Sequence, residues 1–278
     1  MNKGSRIFIQ IGILLGFIGT VVVNALSALL PINGQTPGEI SDNIPNLFVP
    51  AGLTFSVWSV IYIALLGLTI YSIKSWFKKD QEPSELLDKY GIEFIIAAIA
   101  NITWIFLWHY NFVGLSTIAM VVLLGSLLSA YIRLRIGKGA NTIAEKWFIH
   151  IPLSIYLGWI TIATVANITA TLVTFGWNGF GASESFWAIL MIAIATVITL
   201  LMLILRNDIA YSLVVIWSLV GIILKRVDTT LPGYTPQLGI VITSSIGIGL
   251  VTLLIGFVIF KYFYKKRKTS KVEIAAVE

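Results

Sequence analysis

Eight apolar runs of roughly twenty residues constrain the fold of this chain more than any other feature of its sequence. They cover residues 7–30, about 51–73, about 90–108, 115 to about 132, 149–174, about 186–205, 209–224 and 238 to about 260. An α-helix needs about 20 apolar residues to cross the hydrocarbon of a bilayer, whereas the strands of a β-barrel alternate over about 10 residues. The runs therefore predict an all-α polytopic membrane protein with eight transmembrane helices.

Composition excludes several classes of function. Of the 278 residues, 57% are hydrophobic and 12% are charged, which is too apolar for the surface of a soluble domain. The absence of cysteine excludes disulfides, thiolate catalysis and cysteine metal sites. The net charge is +6, and its cations lie in short loops and a basic tail. This placement favours anionic lipids as partners and disfavours nucleic acid.

The positive-inside rule predicts the orientation. If the N-terminus is cytoplasmic, all but two of the 19 lysines and arginines fall on the cytoplasmic side. The exceptions are Lys225 and Arg226, for which pairing with Asp228 is favoured over an extracytoplasmic anion site. We therefore expect a multi-pass protein of the cytoplasmic membrane with both termini inside, ending in a basic cytoplasmic tail over residues 265–278.

The first span and the connection after it carry signals of close packing. Gly12 and Gly16 form a GxxxG pair, which lets another helix approach. Packing within the chain is favoured over dimerisation, and a homodimer stays open as the alternative. The connection over residues 31–50 has four prolines and no lysine or arginine, which favours an ordered cap over a passive connector.

Aromatic and amide side chains recur at helical spacing inside the second, third and fifth spans. Residues three or four apart share a helix face. The residues concerned are Trp58, Tyr62, Asn101, Trp104, Tyr156, Trp159, Ala163 and Asn167. Indoles, a small residue and amides in columns suit the wall of a ligand pocket, although packing against a neighbouring helix uses the same residue types. Such a pocket, without buried ionisable groups, favours flat apolar or polarisable molecules over ions.

The titratable residues near the spans give no catalytic or metal site. Glu93 is expected to snorkel or to pair with Lys89, and a proton relay is the weaker alternative. His109 and His150 lie at span ends, where we expect interface residues and not metal ligands. The sequence contains no acid/base pair, activated nucleophile or phosphate loop, so it predicts no enzyme.

Three motifs resemble the translocator protein family, also called the tryptophan-rich sensory or peripheral benzodiazepine receptor-related proteins. The family order is a first helix, a proline-rich loop, then VWxxxY, NxxW and YxxWxxxAxxxN. Here these motifs are Val57-Trp58 with Tyr62, Asn101 with Trp104, and Tyr156, Trp159, Ala163 and Asn167. The resemblance implies a five-helix bundle whose pocket lies beneath the first loop and takes porphyrins, sterols or other flat apolar ligands. It places Trp58, Tyr62, Asn101, Trp104, Trp159 and Ala163 in that pocket.

The chain also departs from the family pattern. Ile155 stands directly before Tyr156, where the family usually has proline, and Pro152 is displaced to the start of the span, where it is expected to loosen the first turn. Three further helices have no counterpart in the five-helix form and could cover its dimerisation face. We therefore predict a five-helix bundle over residues 1–175, three additional transmembrane helices over 176–264, and the tail.

The predicted function is binding or sensing of a flat apolar ligand, with porphyrin or haem as a candidate ligand and no certain cofactor. Light-driven breakdown of bound porphyrin is a minor alternative. A secondary transporter of a small hydrophobic or aromatic solute is the main alternative, although the sequence shows no internal repeat and no intramembrane carboxylate for coupling. A third alternative is a membrane scaffold whose aromatic columns only pack.

Overall fold

The computed structural model describes residues 1–30, 32–78, 81–140, 142–230, 235 and 237–275, with side chains described up to residue 264. Its long helices are α1 (Lys3–Leu29), α2 (Val57–Ser72), α3 (Leu87–His109), α4 (Val113–Arg133), α5 (Ile151–Thr174), α6 (Glu184–Arg206), α7 (Ile209–Val227) and α8 (Leu238–Ala275). All eight are long and apolar enough to cross a membrane, with the second span starting at Gly52 and the fifth at Ile143. The predicted all-α membrane fold with eight spans is confirmed.

The first five helices close into a ring. Contacts run from α1 to α3, from α3 to α4, from α4 to α5, from α5 to α2, and from α2 back to α1. The helices α6, α7 and α8 contact one another, and α7 joins them to the ring by packing along α5. The predicted aromatic columns on α2, α3 and α5 therefore belong to one closed set of helices, which we call the ring.

Glycines bring α1 and α3 close together. A Cβ at Gly12 would lie 2.5 Å from Ile95 Cδ1, and one at Gly91 would lie 2.3 Å from Ile9 Cγ2. Both distances are far below an ordinary carbon contact, so a larger residue at either position would have to displace the facing isoleucine, and glycine allows the close crossing. The glycines of the first span thus serve packing within the chain, as expected, and a homodimer stays a prediction.

The connection after α1 forms an ordered cap over the ring, as predicted; Pro31 lies outside the described residues. It contains a short helix, Pro37–Asn43, which we call the loop helix. Thr36 and Glu39 close a capping box at its start. The Trp108 indole N–H donates to the Pro37 carbonyl at 3.2 Å, which fixes the loop helix above the end of α3.

The fifth span begins with a π turn. Lys146–His150 form this turn, and the Ile151 N–H donates to the carbonyl of Lys146, five residues back. Pro152 follows and has no N–H to continue the ordinary ladder. The wide turn thus directly precedes Pro152, where the sequence predicts a loosened first turn; the part of the proline in forming it stays a prediction.

Two of the expected ion pairs have different partners. Lys225 pairs with Asp42 of the loop helix, not with Asp228, because α7 ends beside the loop helix and the Asp228 carboxylate accepts from the Thr230 N–H and hydroxyl. Those hydrogen bonds also lower the pKa of Asp228. Arg226 lies in the same last turn of α7, so the two cations end this helix instead of following it.

The second correction concerns Glu93. It pairs with Arg133 of α4 and not with Lys89, because α3 and α4 are packed neighbours along their length. The side chain of Glu93 is buried, and so are those of Glu145 and Asp208. Glu93 and Glu145 lie within spans, so the expectation of no intramembrane carboxylate was wrong.

The two histidines lie at the ends of their spans and are buried within the protein. His109 ends α3 and His150 directly precedes α5, and their place at the membrane interface stays a prediction. The loop folds over His109, whose backbone carbonyl accepts from the Asn33 amide at 2.9 Å, and the Nε2 atom of His150 lies 3.2 Å from Glu145 Oε1. The eighth span ends at Tyr264, close to the predicted end. Helix α8 continues beyond the span to Ala275, because no glycine or proline interrupts residues 257–275.

Candidate ligand pocket inside the ring

The three aromatic columns meet around Trp58. The ring centroid of Trp58 lies 5.5 Å from Tyr62, 6.5 Å from Trp104, 6.0 Å from Tyr156 and 6.1 Å from Trp159. All four separations fall within the usual range of about 4.5 to 7 Å for interacting aromatic pairs. The side chains converge inside the ring and do not point separately at lipid. Their role in ligand binding stays a prediction.

The backbone before α2 positions Trp58 among the other aromatic rings. A 3-10 helix over Gly52–Ser56 turns directly into α2, and its Phe55 packs edge-on against Trp159 at 5.7 Å. Trp58 and Tyr62 then lie one helical turn apart and stack at an interplanar angle of 19°. The second span thus carries a continuous aromatic face from the cap into the membrane interior.

Asn167 links three helices of the ring. Its Oδ1 accepts from the Trp104 indole N–H at 2.7 Å, and its Nδ2 donates to Thr117 Oγ1 at 2.7 Å and to Ser116 Oγ at 3.0 Å. Because these bonds lie in an apolar interior, they fix the plane of the Trp104 ring. Asn167 is therefore a positioning residue for Trp104 as well as a predicted contact.

Asn101 and the two tyrosines form a second tier. Helices α3 and α5 end under the cap and α2 begins there, so Asn101, Tyr156 and Tyr62 each lie one turn further from the cap than Trp104, Trp159 and Trp58. The Asn101 Oδ1 accepts from the Asn24 amide of α1 at 2.7 Å. This hydrogen bond joins α1 to α3 below the indoles.

A small cavity remains between the indoles and the cap, which we call the aromatic cavity. Its volume is about 40 Å³. It is lined by Pro37, Ser41, Pro50, Phe55, Trp58, Trp104, Trp108, Trp159, Ile162, Ala163, Ala166 and Asn167. This is room for about one water molecule, whereas pockets for drug-sized ligands hold roughly 300 to 1,000 Å³. The cavity is closed in this conformation.

The lining differs in part from the sequence prediction. Trp58, Trp104, Trp159, Ala163 and Asn167 line the cavity, while Tyr62, Asn101 and Tyr156 lie in the tier below it. The prediction missed Trp108, Phe55, Ile162, Ala166 and the three cap residues. Trp108 stands four residues after Trp104 on the same face and could have been found by that spacing.

One polar atom on the cavity wall and one in the tier below it have no hydrogen-bond partner. Within the described part of the chain, the Trp159 indole N–H and the Tyr62 hydroxyl are buried and unpaired. An unpaired buried donor costs about 1 to 3 kcal/mol. Trp159 therefore offers a free donor on the wall of the aromatic cavity.

Comparison with known proteins connects this geometry to a family. A family model described as TSPO-like protein matches residues 10–270. The match continues past residue 175 and across α6 and α7 into α8, so it includes the additional helices. Neither the curated proteins nor the solved structures gave a significant match.

Proposed function

The chain belongs to the family of TSPO-like proteins, and on that premise we propose that it binds a small, flat, apolar molecule in the aromatic cavity. Membership of the family supports a multi-pass membrane protein of the sensory or binding type. The family is generally non-enzymatic, and the absence of catalysis by this chain stays a prediction. Our proposal concerns the chemical class of the ligand and its binding site in the aromatic cavity.

The convergence of Trp58, Trp104 and Trp159 beneath the cap carries the proposal. Indole faces bind flat apolar molecules by stacking and dispersion, and offset aromatic pairs add about 0.5 to 1.5 kcal/mol each beyond area burial. The unpaired Trp159 N–H favours a ligand that carries a hydrogen-bond acceptor. Porphyrins satisfy both requirements, whereas a sterol offers a weaker match because it has no aromatic face.

Binding requires the cavity to enlarge. A volume of about 40 Å³ is several-fold below that of a pocket for a drug-sized molecule. The cap is the element able to move, because the loop helix is short and few polar contacts join the cap to the long helices. These contacts are the Trp108–Pro37 and Asn33–His109 hydrogen bonds, the Lys225–Asp42 ion pair, and the bond from the Asn46 amide to Thr169 Oγ1 at 2.6 Å. Displacement of the loop helix removes the roof residues Pro37 and Ser41 and leaves the indole walls in place.

Fluorescence titration with protoporphyrin IX as the probe tests the proposal. Saturable quenching is expected, and Trp159→Phe removes the free donor while keeping an aromatic ring, so the affinity falls about tenfold. Trp187→Phe is the matched control, because the Trp187 indole bonds to Gly179 in the loop before α6, away from the ring. Equal affinities for both variants would overturn the site. A lower melting temperature with unchanged affinity would favour the scaffold function.

A secondary transporter is the second candidate. The sequence shows no internal repeat, which disfavours a transporter, but the buried side chains of Glu93, Glu145 and Asp208 supply the carboxylates that coupling needs. Buried carboxylates within or at the ends of spans are the groups that proton-coupled transporters use. Uptake in proteoliposomes decides between the two: protonophore-sensitive accumulation of one solute supports transport, and saturable binding without accumulation supports the receptor.

A further inference from the structure

A second and much larger cavity lies between α2, α5 and α7, outside the ring. Its volume is about 940 Å³, and it shares no lining residue with the aromatic cavity. Its surface is mainly apolar, and its walls include Val57, Val60, Ile155, Leu213 and Trp217. Val60 and Leu213 are each 53% exposed, so the cavity opens sideways toward the hydrocarbon. We call it the lateral groove.

The groove is closed toward the cap. The Trp217 indole N–H donates to the Thr54 carbonyl at 3.0 Å, and the Ala51 N–H donates to the Gly221 carbonyl at 2.9 Å. From Ile209 to Trp217 the groove follows α7 for about 12 Å, at 1.5 Å per residue. This is less than half of the roughly 30 Å of hydrocarbon. The groove therefore occupies a single leaflet, the one on the side of the α6–α7 turn.

The open end of the groove is cationic. Lys146 and Arg206 line it, and no ion pair joins either of them to a carboxylate in the described ranges. Lys146 is exposed, while Arg206 is partly buried and donates to the Ile136 carbonyl at 3.2 Å. Both cations keep N–H groups for a ligand at the level of the lipid headgroups.

The Asp208 carboxylate at this end accepts hydrogen bonds from the interior of the protein. Asp208 also lines the groove, but its Oδ2 accepts from the Tyr131 hydroxyl at 2.8 Å and from Ser154 Oγ at 2.7 Å, and its Oδ1 accepts from the Tyr211 N–H at 3.1 Å. Asp208 is 6% exposed. His150, which also lines the groove, lies 3.2 Å from the buried Glu145. The side chains that keep N–H groups directed at the lipid headgroups are therefore Lys146 and Arg206, whereas the oxygens of Asp208 already accept hydrogen bonds from the protein.

We propose that the lateral groove is a specific site for an anionic phospholipid. One acyl chain lies along Val60, Ile155 and Leu213, where burial against aliphatic side chains stabilises it. The phosphate lies between Lys146 and Arg206, since opposite charge is favourable there and a zwitterionic headgroup gains less. Helix α7 supplies one wall, so the ring of five helices alone does not form this site.

Native mass spectrometry of the full-length protein in detergent tests the site with phosphatidylglycerol and phosphatidylcholine of identical chains. We expect phosphatidylglycerol to bind more tightly, with one lipid retained at low occupancy. Lys146→Gln weakens phosphatidylglycerol binding about fivefold, the effect of one surface cation, and leaves phosphatidylcholine unchanged. Lys138→Gln is the matched control: Lys138 is an exposed cation at the same end of the bundle and does not line the groove.

A steric variant locates the bound lipid. Leu213→Trp fills the groove and is expected to reduce phosphatidylglycerol retention at least tenfold, while Leu205→Trp changes an exposed side chain on α6 outside the groove and leaves retention unchanged. Equal binding of the two lipids, equal effects of Lys146→Gln and Lys138→Gln, or full retention by Leu213→Trp would each overturn the site. Trp159→Phe leaves lipid retention unchanged, so failure of the porphyrin site and failure of the lipid site are separate results.

Discussion

The aromatic cavity and the lateral groove lie on opposite sides of the α2–α5 contact and are built in opposite ways. The cavity of about 40 Å³ is walled by indoles whose rings contact one another and are fixed by Asn167. The groove of about 940 Å³ has a mainly apolar surface, and two exposed residues form its open edge. Ligand recognition by the aromatic cavity depends on a few rigid aromatic rings. Binding in the lateral groove depends on the apolar surface area that a ligand buries and on the positive charge at one end. Sequence motifs mark the aromatic cavity, whereas no motif marks the lateral groove.

The largest expected effect separates the two sites through Asn167. Asn167→Leu leaves the Trp104 N–H and the hydroxyls of Ser116 and Thr117 without their shared partner, so we expect a loss of about 2 to 3 kcal/mol in the free energy of unfolding. Ligand binding in the aromatic cavity weakens because Trp104 loses its orientation, while retention of phosphatidylglycerol is unchanged. Thermal melts and lipid retention on the same sample measure both. If the lipid is lost together with the aromatic ligand, the two sites are coupled.

The second prediction concerns the wall that only the groove uses. A Cβ at Gly221 would lie 1.9 Å from Thr54 Oγ1, so Gly221→Ala pushes α7 away from α2 and costs about 1 to 3 kcal/mol. We expect the phospholipid to be lost before the aromatic ligand. Gly249→Ala is the control, because no atom lies within 4 Å of a Cβ at that position of α8 and alanine favours a helix interior. Equal melting temperatures for the two variants would contradict the close contact.

A smaller effect is expected from the ion pair that holds the cap. Lys225→Gln removes the partner of Asp42, a half-exposed residue, so the closed state loses up to about 1 kcal/mol. The association rate for protoporphyrin IX then rises up to about fivefold, because the roof opens more often, while lipid binding in the groove does not change. Stopped-flow fluorescence measures the rate. Lys3→Gln, which removes an exposed pair with Glu82, should have no effect; an equal rise there would point to a change in net charge.

The smallest effect is a pH dependence at the start of the loop helix. Hydrogen bonds from the Thr36 N–H and hydroxyl lower the pKa of Glu39 below its usual value of 4.5. A lowered pKa means that this carboxylate stabilises the folded cap above pH 4.5, and that the stabilisation is lost as the pH falls through the lowered value. The association rate should therefore increase at acidic pH. Glu39→Gln, which keeps a neutral capping residue, should give a rate without this dependence.

Sequence predicted the elements and the inward faces because both depend on spacing within one helix. Trp58 with Tyr62 and Trp104 with Trp108 each lie one turn apart, so either pair could be placed on a face before the helices were assembled. Capping of α7 by Asp208 could be expected for the same reason. The partners that the prediction missed are distant in the chain: Glu93 and Arg133 are 40 residues apart, and Lys225 and Asp42 are 183 apart. Long-range pairs depend on which helices pack together, and no periodicity encodes that.

The size of the two cavities was equally beyond sequence reasoning. Indole columns predict that rings meet, but not whether they leave space for a ligand or fill it, since this depends on fractions of an ångström between helices. The part of the lateral groove that faces the hydrocarbon is lined largely by valine, isoleucine and leucine residues, which are ordinary in any lipid-facing helix. Only its cationic end differs from the background, and Lys146 and Arg206 lie 60 residues apart in the chain.

The π turn at the start of the fifth span has a mechanical meaning for both sites. Lys146 lies inside this turn at the mouth of the groove, and Trp159 lies further along the same helical segment, on the wall of the aromatic cavity. Each residue rotates a helix by about 100°. The one residue added by the π turn therefore sets the angle around the helix axis between the side chains of Lys146 and Trp159. Deleting a single residue between Lys146 and Pro152 would leave the indole column in place and would rotate the Lys146 side chain by about 100° around the helix axis, away from the mouth of the groove.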